Sequence, residues 1–418
     1  MTGSLIVCPH CARLHQRISL KPGAVASCVR CGNELYRQSG LSLQSWLAVT
    51  WGALAVFCVA NYFPVAYLSM QGLTLSASLP KALFITYEQG SYFVALTAAL
   101  FTFVFPLGQI LFVMWALQCI RRRHLPRDFH YGLRVLEGLS HWSMVPVLLL
   151  GIVVAMVKLS DMAVLRLGEG LWAFGALSVF LTMLSRVSAA RLWRYAEDAG
   201  LVVRSGTTVD LNQAVAGCTA CGCVQNMPAA GARSCERCGA FFHFRKPLVR
   251  HRVWALIITA SILYIPANVL PVMNLRLPTG ESAHTILGGV IELWRYGSWD
   301  LALVVFIASV VVPLSKLIAL SLLMLRRHWH GVQIQRQRTR LYEMVEFVGQ
   351  WSMLDVFVVL LLSAMVDFPG MAQMSAEPGA ACFGLVVILT MFATMSYDPR
   401  LGWDQASGVP ATPRPAAR

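Results

Sequence analysis

Eight of the twelve cysteines fall in Cys-x-x-Cys pairs. Cys8 and Cys11 are followed, after sixteen intervening residues, by Cys28 and Cys31. Cys218 and Cys221 are followed, after thirteen, by Cys235 and Cys238. A two-residue spacer lets both sulfurs of a knuckle reach one ion. A longer spacer forms the hairpin between knuckles, so each quartet can close a tetrahedral thiolate shell around zinc. A closed shell leaves no position for substrate, so the expected role is structural. The second spacer is a little short, and Cys223 offers a spare ligand. A redox dithiol is the other chemistry open to Cys-x-x-Cys, and unligated cysteines are the plain alternative. Two pairs per quartet, in duplicate, favour zinc. His10, His15 and His243 flank the knuckles and read as surface histidines.

The remaining polar candidates lie within apolar runs, where charge is costly and usually faces a partner or a cavity. Lys158 and Asp161 close one run three residues apart and share a helix face. Lys316 lies about two turns from the end of another, past Pro313, with Ser309 seven residues before it on the same face. Asp355 follows Trp351-Ser352-Met353. These five form the expected functional set. Interfacial pairing or snorkelling is the plain alternative for the charges. Asn61 with Pro64, and Asn268 with Pro271, predict two helix kinks, each stabilised by an amide-to-backbone hydrogen bond.

The elements that must position these residues are membrane helices. The chain is 57% hydrophobic and 13% charged, against about 25% charged for soluble domains. Runs near 46–70, 93–119, 142–159, 171–190, 253–275, 301–325, 351–368 and 380–397 predict eight spans, with Trp46, Trp142, Trp172, Trp299, Trp351 and Tyr397 near their ends. No secretory signal peptide is expected ahead of the first run. The net charge of +14 is explained by topology rather than by nucleic acid. Only Lys81, Arg166, Arg276 and Arg295 follow the odd-numbered spans, and 27 of the 34 basic residues fall in the head, the other connecting segments or the tail. The positive-inside rule then predicts both termini and both cysteine quartets in the cytoplasm, where thiols stay reduced.

The chain also repeats. Asn61-x-x-Pro64-Val65, Gly90-Ser91 and Pro106-Leu107 recur 207 residues later, and Glu137, Trp142-Ser143-Met144 and Ala155-Met156-Val157 recur 209 later. The expected fold is therefore an all-α polytopic membrane protein. It consists of two parallel repeats of four transmembrane helices, each preceded by a small zinc-ribbon-like domain. The expected domains are a first ribbon at 1–40, a first bundle at 41–200, a second ribbon at 210–247, a second bundle at 248–404 and a disordered tail at 405–418.

No nucleotide-binding glycine loop, zincin motif or hydrolase triad is present, so no enzyme is expected. Duplicated knuckles before four spans, with "NYFPV", "QWSMLDVFVV" and "SYDPRLGWD", resemble the paraquat-inducible protein A family, from Cys8 to about Asp404. The resemblance implies a multi-pass protein of the bacterial inner membrane. It also implies a periplasmic partner of the mammalian-cell-entry (MCE) class, which forms a tube between membranes, and a role in passing phospholipid or another amphiphile to that tube. A non-transporting anchor for the tube and a membrane thiol oxidoreductase are the competing expectations.

Overall fold

The computed structural model describes residues 4–407 apart from 71–72, 161–163, 207–208, 211, 214, 228–232, 278–279, 296, 298, 326–330, 366 and 369–371. Two small hairpins lead the chain: β1 (Leu5–Val7) with β2 (Leu14–Gln16), and β3 (Val25–Ser27) with β4 (Glu34–Arg37). The first copy of the repeat follows as α1 (Leu43–Tyr62), β5 (Ala66–Met70), β6 (Leu73–Ala77), α2 (Leu79–Glu88), α3 (Tyr92–Ala99), α4 (Phe105–Arg121), α5 (Phe129–Ser140), α6 (Val145–Ser160), β7 (Val164–Leu167), α7 (Glu169–Leu184) and α8 (Ala189–Asp198). A second hairpin pair comes next: β8 (Val215–Gly217) with β9 (Val224–Asn226), and β10 (Arg233–Ser234) with β11 (Phe241–Phe242). The second copy is α9 (Val249–Val269), β12 (Met273–Leu277), β13 (Gly280–His284), α10 (Ile286–Arg295), α11 (Trp299–Phe306), α12 (Val312–Leu325), α13 (Val332–Trp351), α14 (Leu354–Met365), β14 (Asp367–Phe368), β15 (Ala372–Ala376), α15 (Pro378–Ser396) and α16 (Arg400–Ser407).

The helices of the two copies correspond one for one, α1 to α9 through α8 to α16. Even the irregularities recur. One π-helical turn at Leu100–Val104 joins α3 to α4, and another at Ile307–Val311 joins α11 to α12. Each precedes a proline, Pro106 or Pro313, whose missing N–H and bulky ring perturb the i→i−4 ladder.

Six stretches among the described residues are long and apolar enough to cross a membrane: Leu43–Tyr62, Tyr92–Arg121, Phe129–Met156, Val249–Val269, Ala302–Leu325 and Pro378–Asp404. The pair α7 and α8, bent by 57°, makes a seventh if taken as one span. The expected eight are not reached by this measure, because α14 has only 12 helical residues where about 20 are needed.

Two further expectations are corrected. The fold is mostly helical rather than all-α. Segments after α1 and α9 form antiparallel sheets, of three strands (β6-β5-β7) and four (β13-β12-β15-β14). Both central hairpins share one register, Ala66 opposite Ala77 and Met273 opposite His284. The Asn-Pro motifs, in turn, end their helices rather than kink them. The residue before a proline is pushed out of the helical region, and Phe63 (φ −83°, ψ 146°) and Leu270 (φ −75°, ψ 149°) are extended caps. The predicted amide bonds are present: Asn61 Nδ2 donates to the Phe57 carbonyl and Asn268 Nδ2 to that of Tyr264, each at 2.8 Å.

The bundle therefore has a ribbon end and a sheet end. Within each copy the first helix packs on the seventh, α1 on α7 and α9 on α15. Glycine permits the closest approach: a Cβ on Gly170 would lie 2.5 Å from the Phe63 carbonyl oxygen, and one on Gly379 2.4 Å from that of Pro271. The copies meet where α6 packs on its counterpart α14, which also rests on α2 and α3.

Candidate functional site

Each ribbon hairpin carries a knuckle in its turn. The residue after the second cysteine adopts positive φ: Ala12 (57°), Gly32 (82°), Gly222 (73°) and Gly239 (61°). Its N–H donates to the carbonyl of the first cysteine, at 2.9, 2.8, 2.9 and 2.7 Å. Three of the four are glycine, the residue that takes this conformation without strain.

These turns bring the sulfurs together. The Sγ atoms of Cys8, Cys11, Cys28 and Cys31 lie within 4.8 Å of one another, as do those of Cys218, Cys221, Cys235 and Cys238. The cross-knuckle distances are 3.5 Å for Cys8–Cys31 and Cys11–Cys28, 3.7 Å for Cys218–Cys238 and 3.6 Å for Cys221–Cys235. A disulfide needs about 2.05 Å. A tetrahedron with zinc–sulfur bonds of about 2.3 Å has edges of about 3.8 Å, so the donor sets fit zinc. Sulfur hydrogen bonds, first from Cys11, and then burial push the Cys8 thiol above its usual range. A cation would offset that cost. Cys223 stands outside its quartet, its Sγ directed at the Val224 carbonyl at 4.0 Å. His15, read as a surface residue, has Nε2 3.2 Å from Cys28 Sγ, and burial lowers its pKa.

The ribbons dock crosswise through their knuckles, while Arg17 of the first also pairs with Glu197 and Asp198 of α8, at 3.3 and 2.9 Å, and Arg245 of the second with Asp404 of α16. The first packs on the second copy: Trp403 of α16 joins the Cys8, Cys11 and Cys28 cluster, and Asn33 Nδ2 donates to Glu343 of α13 at 2.6 Å. The second packs on the first copy: Arg237 pairs with Glu197 of α8 at 2.6 Å, and Arg134 of α5 donates to the Cys238 carbonyl. The knuckle arginines repeat the pattern. Arg30 lies over Trp403 and Arg237 over Trp193, 4.9 and 5.5 Å from the ring centroids. Arg134 and Glu343 correspond at the offset of 209, and Trp193 and Trp403 at 210. The two ribbons also touch, β1 packing on β8 and β9, and Leu5 N–H donates to the Ser205 carbonyl in the segment ahead of the second ribbon at 3.1 Å.

Within the bundle, Lys316 on α12 is 1% exposed. Its Nζ donates to the Gly349 carbonyl, Ser352 Oγ and Thr390 Oγ1, each at 3.2 Å. Three acceptors match the three N–H bonds of an ammonium, and all three are neutral. The contacts tie α12 to the end of α13, the turn before α14, and α15. Sequence reasoning found the lysine and missed Ser352 and Thr390, which only helix packing brings near. The network belongs to one copy. The first copy has Gln109, Ser143 and Leu181 at the corresponding positions, and Gln109 is buried with its side-chain oxygen unpaired.

Of the other expected residues, Ser309 is described and does not join it. Ser309 donates to the Val305 carbonyl on its own helix at 2.7 Å. Its counterpart Thr102 makes the equivalent bond to Ala98, so a structural role explains both. Asp161 lies outside the described residues, as do the side chains of Lys158 and Asp355 on α6 and α14. A cleft of about 870 Å³ opens between the copies at the sheet end, lined by Glu88, Tyr92, Arg276, Met374 and Glu377 among others. Neither Ser309 nor Lys316, the two expected residues whose side chains are described, lines it.

A family model described as paraquat-inducible protein A matches residues 43–197 and again 250–407, once per copy and without either ribbon. The chain is 32% identical to "Intermembrane transport protein PqiA" of Escherichia coli (strain K12) over 402 residues, covering 96% of this chain and 95% of that one. It is 30% identical over 398 residues to "Lipophilic envelope-spanning tunnel protein A" of the same strain, covering 95% and 90%. It is 27% identical over 412 residues to "Probable intermembrane transport protein" of Haemophilus influenzae, covering 96% and 95%. No solved structure matches.

Proposed function

The chain belongs to the paraquat-inducible protein A family, and from that premise we propose that it is the inner-membrane subunit of an envelope lipid transport system. It passes phospholipid or another amphiphile between the inner membrane and a periplasmic tube built of MCE-domain protein. Its two copies act as four-span repeats with both termini cytoplasmic, the ribbon end facing the cytoplasm and the sheet end facing the tube. Zinc in the two cysteine quartets holds the ribbons folded and takes no part in transport.

The observation that carries this reading is Lys316. An ionisable group buried in a membrane helix is expensive and marks function, and here it is bound by neutral groups at a position where the other copy has glutamine. The cleft at the sheet end gives an amphiphile a polar and apolar mouth between the copies.

The test is Lys316→Gln, which gives the second copy the first copy's residue. In cells whose envelope barrier depends on this protein, transport requires the barrier to fail while the variant still inserts and holds its tube partner. Full protection by an assembled variant would leave a non-transporting anchor as the correct reading.

A further inference from the structure

The two ribbon junctions descend from one design, yet one is closed and the other open. At the closed junction, Arg336 of α13 donates from Nε to the Arg30 carbonyl at 2.9 Å and from Nη2 to that of Val29 at 3.5 Å. Trp403 Nε1 donates to Thr339 Oγ1 at 3.2 Å. The ribbon thus occupies Arg336, and Trp403 of the bundle occupies Thr339.

At the open junction the counterpart of Arg336 is Arg127, and that of Thr339 is His130. The Arg127 guanidinium has no partner among the described residues and is exposed. His130 uses Nδ1 on the Arg127 carbonyl at 2.8 Å. Between α5, α8, the 202–206 segment and the second ribbon lies a pocket of about 410 Å³. Phe129 and Trp193, both buried, contribute its apolar wall. Arg127, His130 and Arg204 supply basic groups. Arg237 also lines it, already neutralised by Glu197 at 2.6 Å, and Glu236 is the carboxylate on the lining.

We propose that this pocket binds a phosphate ester with an apolar or planar portion, held by Arg127 and Arg204. Guanidinium forks match phosphate oxygens in geometry and charge, and the aromatic wall takes the remainder of the ligand. The pocket begins four residues past the end of α4. Two sources are therefore within reach, a phospholipid headgroup at the membrane surface and a soluble phosphorylated compound. The site is separate from Lys316 and stands or falls without the transport reading.

Full-length protein in detergent is titrated calorimetrically with inorganic pyrophosphate and, separately, with dihexanoyl phosphatidic acid. The double variant Arg127→Gln, Arg204→Gln is compared with Arg123→Gln, which lies outside the pocket. The expected result is saturable binding that weakens about tenfold or more in the double variant and is unchanged in Arg123→Gln. Binding of phosphatidic acid alone assigns the site to a lipid headgroup; binding of pyrophosphate as well assigns it to soluble phosphates. All three arginines are exposed, and retained zinc content checks that the variants fold. Failure of both probes to bind, or equal binding by the double variant, overturns the proposal.

Discussion

Arg30 stacks over Trp403 at 4.9 Å, although 373 residues separate them, and Arg237 over Trp193 at 5.5 Å. These paired aromatic contacts cross the molecule, so each ribbon braces the copy that its own chain does not continue into, in addition to the ion pairs of Arg17 with α8 and of Arg245 with Asp404 that tie it to the copy it leads into. Trp403 is 1% exposed and Trp193 5%. Truncating a large buried aromatic costs about 3–5 kcal/mol. Trp403→Ala is therefore expected to lower stability by about that amount. A double-mutant cycle with Arg30→Ala should return a coupling of about 0.5–2 kcal/mol, measured by denaturant titration in detergent. Strict additivity would remove the brace.

Metal content gives an independent check. Wild-type protein should carry two zinc ions per chain, and Cys218→Ser with Cys221→Ser should carry one, by mass spectrometry of the metal. Structural zinc contributes about 10–16 kcal/mol of apparent binding energy to small domains. Loss of one ion should thus unfold the second ribbon, read as proteolysis within 215–242. Cysteines that titrate fully with a thiol reagent in the untreated protein would instead favour the redox reading.

Ala12 holds the positive φ that glycine holds in the other three knuckles. A non-glycine residue in that region costs about 1–2 kcal/mol. Ala12→Gly should stabilise the first ribbon by about 1 kcal/mol, less the entropy glycine adds to the unfolded chain. The measurement is the chelator concentration at which zinc is released from each ribbon; no gain would contradict the strained turn.

Much of this was legible in the chain. The quartets, the duplication and Lys316 are local signals: spacing, offset identities and one charge in an apolar run. The sheets were not, because β5 (Ala66–Met70) continues the hydropathy of α1 past Pro64, and β12 is too short, with Asn274 and Arg276 among its five residues, to stand out from the end of α9 past Pro271. The ribbon crossing was not legible either. It depends on which copy each ribbon contacts, and Trp403 lies 395 residues from Cys8. Ser352 and Thr390 gave no signal because small hydroxyls in membrane helices usually bond their own backbone, as Ser309 does.

Tyr342 sets an alkaline limit on the first ribbon's docking. Its ring lies 6.4 Å from His10 of the ribbon and 5.4 Å from Tyr397. Burial first, then Glu346, Tyr397 and Asp398, raise its phenol above the ordinary value of 10.0. The folded state thus keeps a proton that the unfolded chain loses near pH 10. The contribution is complete below that value and is lost as pH rises toward the folded pKa. Melting temperature should fall above about pH 10, and Tyr342→Phe should flatten that decline. An identical alkaline slope in the variant would assign the loss to other groups.

The most direct test of the transport account is mass spectrometry of gently purified protein, for bound phospholipid and a co-purifying periplasmic tube protein, repeated on Lys316→Met. The account predicts lipid retained by the parent and lost from the variant with the tube still attached. Tube attachment in both, with no protein-specific lipid in either, would contradict it.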